Sequence, residues 1–324
     1  MAAFGEEVRS GAEAAVEAIN ARGGVLGEKL VLDFYDDACN PAQAVSTANK
    51  IAARRPIAVF GNFCSAATLA AADVYTEANL PQITLSSNPK ITQGNHKNLF
   101  RILGRDDQEA ADLASYVIQS TLQTRRIAIL DDKGTWGVGL ADHALKTFQQ
   151  AGATVAWRDS VTSGQKDFSA LVTRLKNDSI TDVVLGVYLM ESALLVRQAR
   201  EQGYKGNFYG GDAIQSPEFW KIQSGVYDPR HTLAGQKLAE TLKKRNKPLS
   251  AYSFHGYAAL EVLSHAIKQA KSKKSSDIIA ALHKGSFDTM LGKLTYDAQG
   301  DLRDYHFQIF KWHDGDYAPV SVAK

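Results

Sequence analysis

The chain has 324 residues, which exceeds the roughly 250–300 residues at which a single hydrophobic core usually divides, so two lobes are expected. Its composition, 44% hydrophobic and 22% charged, excludes a disordered or fibrous chain. The formal net charge is +2, and the densest basic run, at 243–245, lies near the end of a helix-like segment where cations suit the helix dipole. Nucleic acid is therefore not expected as a partner.

Targeting and membrane-spanning features are not found in the sequence. No stretch approaches 18 apolar residues, so no transmembrane span is expected. The chain opens almost directly into helix-like sequence without a signal peptide. That opening fits either a cytosolic protein or an exported protein whose signal has been removed.

The two cysteines each follow an apolar run. Cys39 follows the run that begins at residue 30, and Cys64 follows the run at 57–63. If these runs are neighbouring parallel strands, both cysteines lie at the same edge and could form a disulfide, which would imply an oxidising compartment. Two unpaired buried thiols fit the pattern equally well.

Strand-like and helix-like segments alternate through the first 120 residues. Apolar spacing predicts helices over residues 6–22, 41–54, 65–77 and 106–122, and strands over residues 29–35, 57–60, 83–85 and 100–103. Asn40 followed by Pro41 predicts the start of the second helix, and Ser65 is predicted to cap the third.

A second series of alternating strands and helices follows, and the alternation ends in the last hundred residues. Strands are predicted over residues 126–130, 154–157, 182–185 and 207–209, and helices over residues 138–150, 168–176 and 191–202. The last hundred residues predict helices over 233–244, 252–270 and 278–283. They end in a strand pair, 292–296 and 305–312, joined by a turn at 297–301.

These repeated βα units predict an α/β fold of two doubly wound parallel-sheet lobes joined by a hinge. We assign residues 1–120 to an N-terminal lobe and residues 121–248 to a C-terminal lobe. Residues 249–324 are assigned to helices and a strand pair that cross back between the lobes. Ligands of open α/β sheets bind outside the carboxyl ends of the strands, so the expected site is the cleft between the two sheets.

Motifs that carry catalysis are not found. The sequence contains no P-loop, HExxH, CxxC or nucleophile elbow. Gly134, Gly137 and Gly139 follow a strand and precede a helix, but their spacing is not GxGxxG and indicates a simple turn. The eight histidines are scattered, without metal-ligand spacing. We therefore expect no enzyme, no metal and no cofactor.

Polar residues at the ends of predicted strands are the candidate ligand contacts. Ser65 opens a helix whose first amides are unpaired, which suits a carboxylate, and Ser86 and Ser87 end the next strand. Tyr188 and Asp212 end strands of the second series. A serine with a helix terminus in one lobe and a carboxylate in the other would complement an amino-acid zwitterion. The alternative is that Ser65 only caps a helix and Asp212 only caps a turn.

The sequence resembles the leucine/isoleucine/valine-binding proteins of ABC transporters, in the type I periplasmic binding protein superfamily. The resemblance runs along nearly the whole chain. Its most specific parts are AINARGG (18–24), YDDACNP (35–41), NKI (49–51), DFSAL (167–171) and RQAR (197–200).

The resemblance implies specific roles for individual residues. It implies that Cys39 and Cys64 form a disulfide. It also implies ligand contacts through seven residues. Four of these are Ser65 at the carboxylate, Ser87 at the ammonium and carboxylate region, Ser86 beside it through backbone groups, and Asp212 at the ammonium. Tyr188 lines the second lobe, Phe4 lies against the ligand side chain, and Trp136 stands where the family often has a tyrosine. Two departures concern the fold: the apolar strand expected before Phe4 is missing, and a strand expected between residues 224 and 229 is shortened.

The function that these expectations describe is that of a periplasmic, monomeric solute-binding protein. It would bind an apolar or aromatic α-amino acid, branched-chain amino acids included, and deliver it to the membrane permease of an ABC importer. The alternative from another class is a ligand-sensing domain of a receptor or regulator with the same fold. An enzyme is the third possibility.

Overall fold

Helices alternate with parallel strands through most of the computed structural model of this protein, which describes residues 2–119, 125–214, 233–305, 307, 309–313 and 316–319. The chain divides into two units. Unit 1 comprises Met1–Gly104 with Asp228–Tyr305, and unit 2 comprises Arg105–Tyr227 with His306–Lys324. The predicted α/β class with parallel sheets is confirmed.

Unit 1 contains a parallel sheet in the order β1–β2–β3, formed by Val59–Phe60, Gln82–Thr84 and Leu99–Arg101. The helices around it are α1 (Ala2–Ala21), α2 (Pro41–Arg54), α3 (Ser65–Glu77) and α4 (Lys90–Gln93). Helix α2 begins as predicted, because Pro41 is its first residue and the Asn40 side chain accepts a hydrogen bond from the Gln43 N–H.

Unit 2 contains a parallel sheet in the order β5–β4–β6–β7. These strands are β4 (Ile127–Asp131), β5 (Val155–Ser160), β6 (Asp182–Gly186) and β7 (Asn207–Gly210). Its helices are α5 (Asp106–Gln119), α6 (Thr135–Gln150), α7 (Ser169–Asn177) and α8 (Leu189–Glu201). Strands β4 and β6 are buried along their whole length, as expected of parallel strands covered on both faces.

Among the described residues, the C-terminal elements are three helices and two hairpins. The helices are α9 (Leu233–Lys244), α10 (Ala251–Ala270) and α11 (Ser275–Lys284). The hairpins pair β8 (Ser286–Thr289) with β9 (Gly292–Thr295), and β10 (Phe310–His313) with β11 (Asp316–Pro319). None of the described helices is both long and apolar enough to cross a membrane.

The two units divide the chain at residues other than the predicted boundaries of 120 and 248. Helix α5 was expected in the N-terminal lobe, and it lies in unit 2. The reason is its apolar face, since Leu113 and Val117 pack in one buried cluster with Leu140 and Phe148 of α6.

Residues 29–35 were predicted to form a strand, and that prediction is wrong. They are extended but unassigned to any sheet, and Val31 is 83% exposed. No described strand lies beside them to supply ladder partners. Instead the Asn20 side chain makes both backbone bonds of Leu30, donating to its carbonyl oxygen at 2.9 Å and accepting from its N–H at 2.7 Å.

The predicted pairing of residues 292–296 with 305–312 is also wrong. The first segment pairs with β8, and the second contributes β10, which pairs with β11. Both pairs are local hairpins, which need less loop closure than the predicted pairing across the turn. The turn itself is present, closed by the Asp297 N–H donating to the Asp301 carbonyl at 2.9 Å. The shortened segment near residues 224–229 lies outside the described residues.

The expected disulfide is confirmed. Cys39 and Cys64 are bonded, with their Cα atoms 5.4 Å apart and 25 residues of separation along the chain. The bond joins the residue just before Asn40, the N-cap of α2, to the N-cap of α3. In the chain-entropy model a bridge across such a loop stabilises the fold by about 3 kcal/mol.

Helices α1 and α10 cross at glycines. A Cβ atom at Gly11 would lie 1.8 Å from the carbonyl oxygen of Ser253, and a Cβ atom at Gly256 would lie 2.5 Å from the carbonyl oxygen of Val8. Only glycine lets the two backbones approach this closely. The crossing therefore fixes the start of α10 against α1.

We predict that Gly11→Ala lowers the free energy of unfolding by about 2 kcal/mol or more, because the added methyl group overlaps backbone atoms. Gly5→Ala is the matched control in the same helix, since position 5 is exposed with nothing within 4 Å of its Cβ position. It should stabilise by up to about 1 kcal/mol. Urea unfolding followed by circular dichroism measures both variants, and equal effects would contradict the packing described.

Candidate functional site

Ser65 lies at the first turn of α3, where β1 ends and the helix begins. It is 2% exposed. The N-cap residue is Cys64 and not Ser65 as predicted, and Cys64 makes no side-chain cap hydrogen bond. The first N–H groups of a helix have no intrahelical acceptor, and the helix dipole adds partial positive charge there. This end of unit 1 is therefore suited to hold an anion.

Ser86 and Ser87 follow β2, the parallel neighbour of β1, and both are buried. The Ser86 hydroxyl donates to the Phe63 carbonyl oxygen at 2.9 Å and lies 2.6 Å from the Thr68 hydroxyl. The Ser86 hydroxyl thus bonds within the fold, and the role of its backbone groups toward a ligand stays a prediction. The adjacent parallel strands bring the three predicted serines to one edge of the sheet.

Arg101 of β3 holds the serine segment from inside unit 1. Its side chain is fully buried and donates to the Ser86 carbonyl oxygen at 2.9 Å and to the Asn88 carbonyl oxygen at 3.3 Å. Its Nε lies 2.5 Å from the carboxylate of Asp301. Each charge is compensated and hydrogen-bonded, as burial of an ion pair requires.

Phe4 belongs to a cluster of three aromatic rings. Its ring stacks on Phe63 with centroids 5.1 Å apart and meets Tyr252 edge-on at 5.3 Å. Phe63 and Tyr252 are themselves 4.9 Å apart. Because Phe63 precedes Cys64 and Ser65 in the chain, the cluster places aromatic side chains next to the N-terminus of α3.

In unit 2 the predicted residues Trp136 and Tyr188 are in contact. Trp136 lies in the first turn of α6 and is 4% exposed, and Tyr188 is the N-cap residue of α8. Their ring centroids are 4.8 Å apart. Both follow strands of the same parallel sheet, β4 and β6.

Asp212 begins a short 3-10 turn after β7 and is bound through its backbone. Its N–H donates to Oε1 of Glu109 in α5 at 2.7 Å. Glu109 is 6% exposed, and its Oε2 has no hydrogen-bond partner in the described part of the chain. Burial raises the pKa of Glu109 well above its ordinary range, and the carboxylates of Asp212 and Asp106 raise it further.

The carboxylates of Asp212 and Asp106 also act on the phenol of Tyr188. Burial raises the pKa of its phenol well above the ordinary value, and Asp132, Asp212 and Asp106 raise it further. The phenol therefore keeps its proton at neutral pH and can donate a hydrogen bond. Burial also raises the pKa of Asp132, whose carboxylate accepts the Gly134 N–H at 2.8 Å. Within the described residues, no three or more His, Cys, Asp or Glu side chains are grouped to hold a metal ion.

Sequence reasoning missed four residues of these clusters: Phe63, Tyr252, Glu109 and Asp132. Asp132 directly follows β4 and Phe63 lies three residues after the end of β1, so the strand-end rule that selected Ser65 could have found both. Tyr252 and Glu109 lie in helices. Acidic residues are common in first helical turns for reasons of the helix dipole alone, so the sequence did not distinguish Glu109.

Hydroxyl groups, helix amides and carboxyl groups at the ends of parallel strands are typical of an α/β protein that binds a small polar ligand. The chain belongs to the periplasmic binding protein family, whose model, described as "Periplasmic binding protein", matches residues 1–316. The predicted family resemblance is confirmed.

Two relatives are similar over nearly their whole length. The chain is 38% identical to the Leu/Ile/Val-binding protein homolog 3 of Brucella melitensis, with 97% of this chain and 89% of that protein covered. It is 35% identical to the leucine-specific-binding protein of Salmonella typhimurium, with 100% and 90% covered.

Solved structures confirm the predicted type I periplasmic binding protein fold. The leucine-binding protein LivK of Thermotoga maritima matches with a TM-score of 0.88 and 27% identity, covering 99% of this chain and 94% of that one. A solute-binding protein of R. palustris in complex with benzoate matches with a TM-score of 0.87 at 15% identity, covering 98% and 91%. The second likeness concerns the fold alone.

We predict that Glu109 makes the free energy of unfolding fall as the pH rises above about 4.5. An unfolded glutamate loses its proton near that pH, whereas native Glu109 retains it to higher pH, so unfolding releases a proton in this window. The slope is at most about 1.4 kcal/mol per pH unit. Glu109→Gln removes this pH dependence, so the variant gains stability relative to wild type as the pH rises from about 5 to about 7.

Urea unfolding at three pH values within that window measures the effect. The control is Glu201→Gln, which changes a glutamate on the exposed surface of α8 with a side chain 63% exposed. It should leave the pH dependence of wild type unchanged. Parallel pH profiles for wild type and Glu109→Gln would contradict the raised pKa of Glu109.

Proposed function

We propose that this protein binds an α-amino acid with an apolar side chain and delivers it to the membrane permease of an ABC importer. The observation that carries the proposal is the kind of polar group that each unit presents at its strand ends. An uncharged serine edge with a helix terminus in unit 1 and a carboxyl cluster in unit 2 complement the two charged groups of a zwitterion.

The carboxylate of the ligand is assigned to unit 1. The free amides at the start of α3 and the hydroxyl groups of Ser65 and Ser87 are donors, and the helix dipole favours negative charge at this point. Hydrogen bonds to a charged group contribute about 1.5–3 kcal/mol each. Two or three such bonds suffice to fix one end of a small ligand.

The ammonium group is assigned to unit 2. The Asp212 carboxylate is the proposed counter-charge, and the Tyr188 phenol oxygen offers an acceptor beside it. Asp212 is one of the carboxylates that raise the pKa of Tyr188, which supports placing the Asp212 carboxylate and the Tyr188 phenol close to each other.

The side chain of the ligand is assigned to the aromatic residues. Phe4 with its neighbours Phe63 and Tyr252 in unit 1, and Trp136 in unit 2, provide apolar surface next to the polar groups. Such a lining favours aliphatic and aromatic side chains over charged ones. The names of the relatives, which are leucine-specific and Leu/Ile/Val-binding proteins, support branched-chain amino acids as the first ligands to test.

Family membership supports a role in solute delivery rather than catalysis. Relatives of this type are solute-binding proteins, and those in solved structures include ABC transporter substrate-binding proteins. We therefore infer that the partner is a permease and that the protein works in the periplasm, where the Cys39–Cys64 disulfide would persist. A monomer carries both proposed half-sites.

We predict that L-leucine, L-isoleucine or L-valine raises the melting temperature in a thermal-shift screen of the twenty amino acids and matched carboxylates. A ligand at about a hundred times its dissociation constant stabilises the native state by about 2.7 kcal/mol. Asp212→Asn should abolish the shift at the same concentration. Leaving the buried ammonium without its counter-charge costs about 3 kcal/mol or more.

The control is Asp73→Asn, which removes a carboxylate from α3 at a position whose side chain is 81% exposed. It should respond to amino acids as wild type does. If carboxylates without an amine stabilise the protein and Asp212→Asn behaves like wild type, the amino-acid assignment is wrong.

A further inference from the structure

Glu109 is a buried acid that the proposed ligand contacts do not use. It lies in α5, one turn from Asp106 at the helix start, and is 6% exposed. One carboxyl oxygen accepts the Asp212 N–H at 2.7 Å, and the other has no hydrogen-bond partner among the described residues. An acid in this position is costly unless it holds a proton or meets a positive charge.

The backbone is shaped to admit this carboxyl group. A Cβ atom at Gly211 would lie 2.9 Å from Glu109 Oε2 and 3.0 Å from a methyl group of Leu140. Glycine at this position therefore leaves room for the Glu109 carboxyl group directly beside Asp212. Any larger residue would separate the two acids.

Among the described residues, the charged groups that raise the pKa of Glu109 are acidic. They are Asp106 and Asp112 on its own helix and Asp212 on the turn after β7. The nearest basic residue in sequence, Arg105, forms a salt bridge with Asp107 at 2.7 Å. His143 of α6 also faces Asp107, and its charge lowers the pKa of that carboxyl group. Glu109 and Asp212 thus place two acids next to each other in unit 2.

We propose that Glu109 is a positioning residue of the amino-acid site, which fixes Asp212 through its backbone N–H and releases its carboxyl proton to solvent when the ligand ammonium group binds. The proposal rests on the function proposed above. It adds a regulatory property to that site, namely the coupling of amino-acid binding to pH.

The charge balance explains the coupling. Without ligand, the proton on Glu109 offsets part of the negative charge around Asp212. The ammonium group brings one positive charge to the same place, so the O–H bond of Glu109 breaks, its electron pair remains on the carboxylate, and the proton passes to water. One positive charge enters and one leaves. Because a proton is released, the affinity must rise with pH.

Isothermal titration calorimetry with L-leucine tests the coupling in buffers of different ionisation enthalpy, at several values between about pH 5.5 and about pH 8. For wild type we expect release of about half a proton or more per leucine at some pH in this range. The dissociation constant should fall by up to about tenfold per pH unit there. Glu109→Gln keeps an oxygen that accepts the Asp212 N–H but carries no acidic proton, so proton release and pH dependence should disappear.

Glu201→Gln, the exposed control with the same change of chemistry, should release protons as wild type does. If wild type binds leucine without proton release, or if Glu109→Gln releases as many protons as wild type, the role of Glu109 is overturned while the proposed function stands. If wild type binds neither leucine nor any other amino acid, both fall. Should Glu109→Gln fail to fold, leucine binding by wild type without proton release still overturns the role of Glu109.

Discussion

The buried ion pair of Arg101 and Asp301 is the constraint on which the proposed half-site of unit 1 depends. It joins residues 200 positions apart in the chain. The Arg101 N–H also donates to the Gly300 carbonyl oxygen at 3.0 Å, which ties the turn to the sheet through the backbone as well. Gly300 has a φ of +91°, and a Cβ atom there would lie 2.1 Å from the Leu99 carbonyl oxygen, so only glycine allows this approach. Losing one charge of such a pair costs about 3–5 kcal/mol.

The same pair positions the serine edge. Arg101 binds the Ser86 carbonyl oxygen, and Ser86 in turn binds the carbonyl oxygen of Phe63, two residues before Ser65. The segment after β2 and the start of α3 are therefore fixed by one buried network. Unit 2 is built differently. Carboxyl groups and the Tyr188 phenol lie close together near strand ends, and burial with mutual repulsion raises the pKa of Glu109 and of Tyr188. The proposed function assigns the ligand carboxylate to the first arrangement and the ligand ammonium group to the second.

The sequence predicts the elements well where local periodicity and capping agree. Helix α2 starts at the predicted proline, and β4 and β6 coincide with predicted apolar runs to within one or two residues. Prediction fails where a strand depends on a neighbour, as at residues 29–35, whose apolar pattern is strand-like but which have no ladder partner among the described residues. The hairpin β8–β9 was missed because no strand was predicted over residues 286–289, so residues 292–296 were paired with a more distant segment.

The candidate site divides in the same way. Ser65, Tyr188 and Asp212 were selected because strand ends in parallel sheets converge, and the structure places each of them at a strand end. Glu109 could not be selected from the sequence, because what distinguishes it is its burial against Gly211 and Asp212. These two residues are more than a hundred positions away in the chain. Roles that the family resemblance implied for Phe4 and Trp136 remain predictions, although each contacts another aromatic ring of its own cluster.

The most direct measurement of the central claim is the affinity of the wild-type protein for three molecules, by calorimetry: L-leucine, 4-methylpentanoate, which lacks only the amine, and 3-methylbutylamine, which lacks only the carboxylate. Because each half-site contributes charge-assisted hydrogen bonds, each truncated molecule should bind about a hundredfold or more weakly than leucine. Binding of 4-methylpentanoate as tight as that of leucine would contradict the assignment of Asp212 and its cluster to the ammonium group.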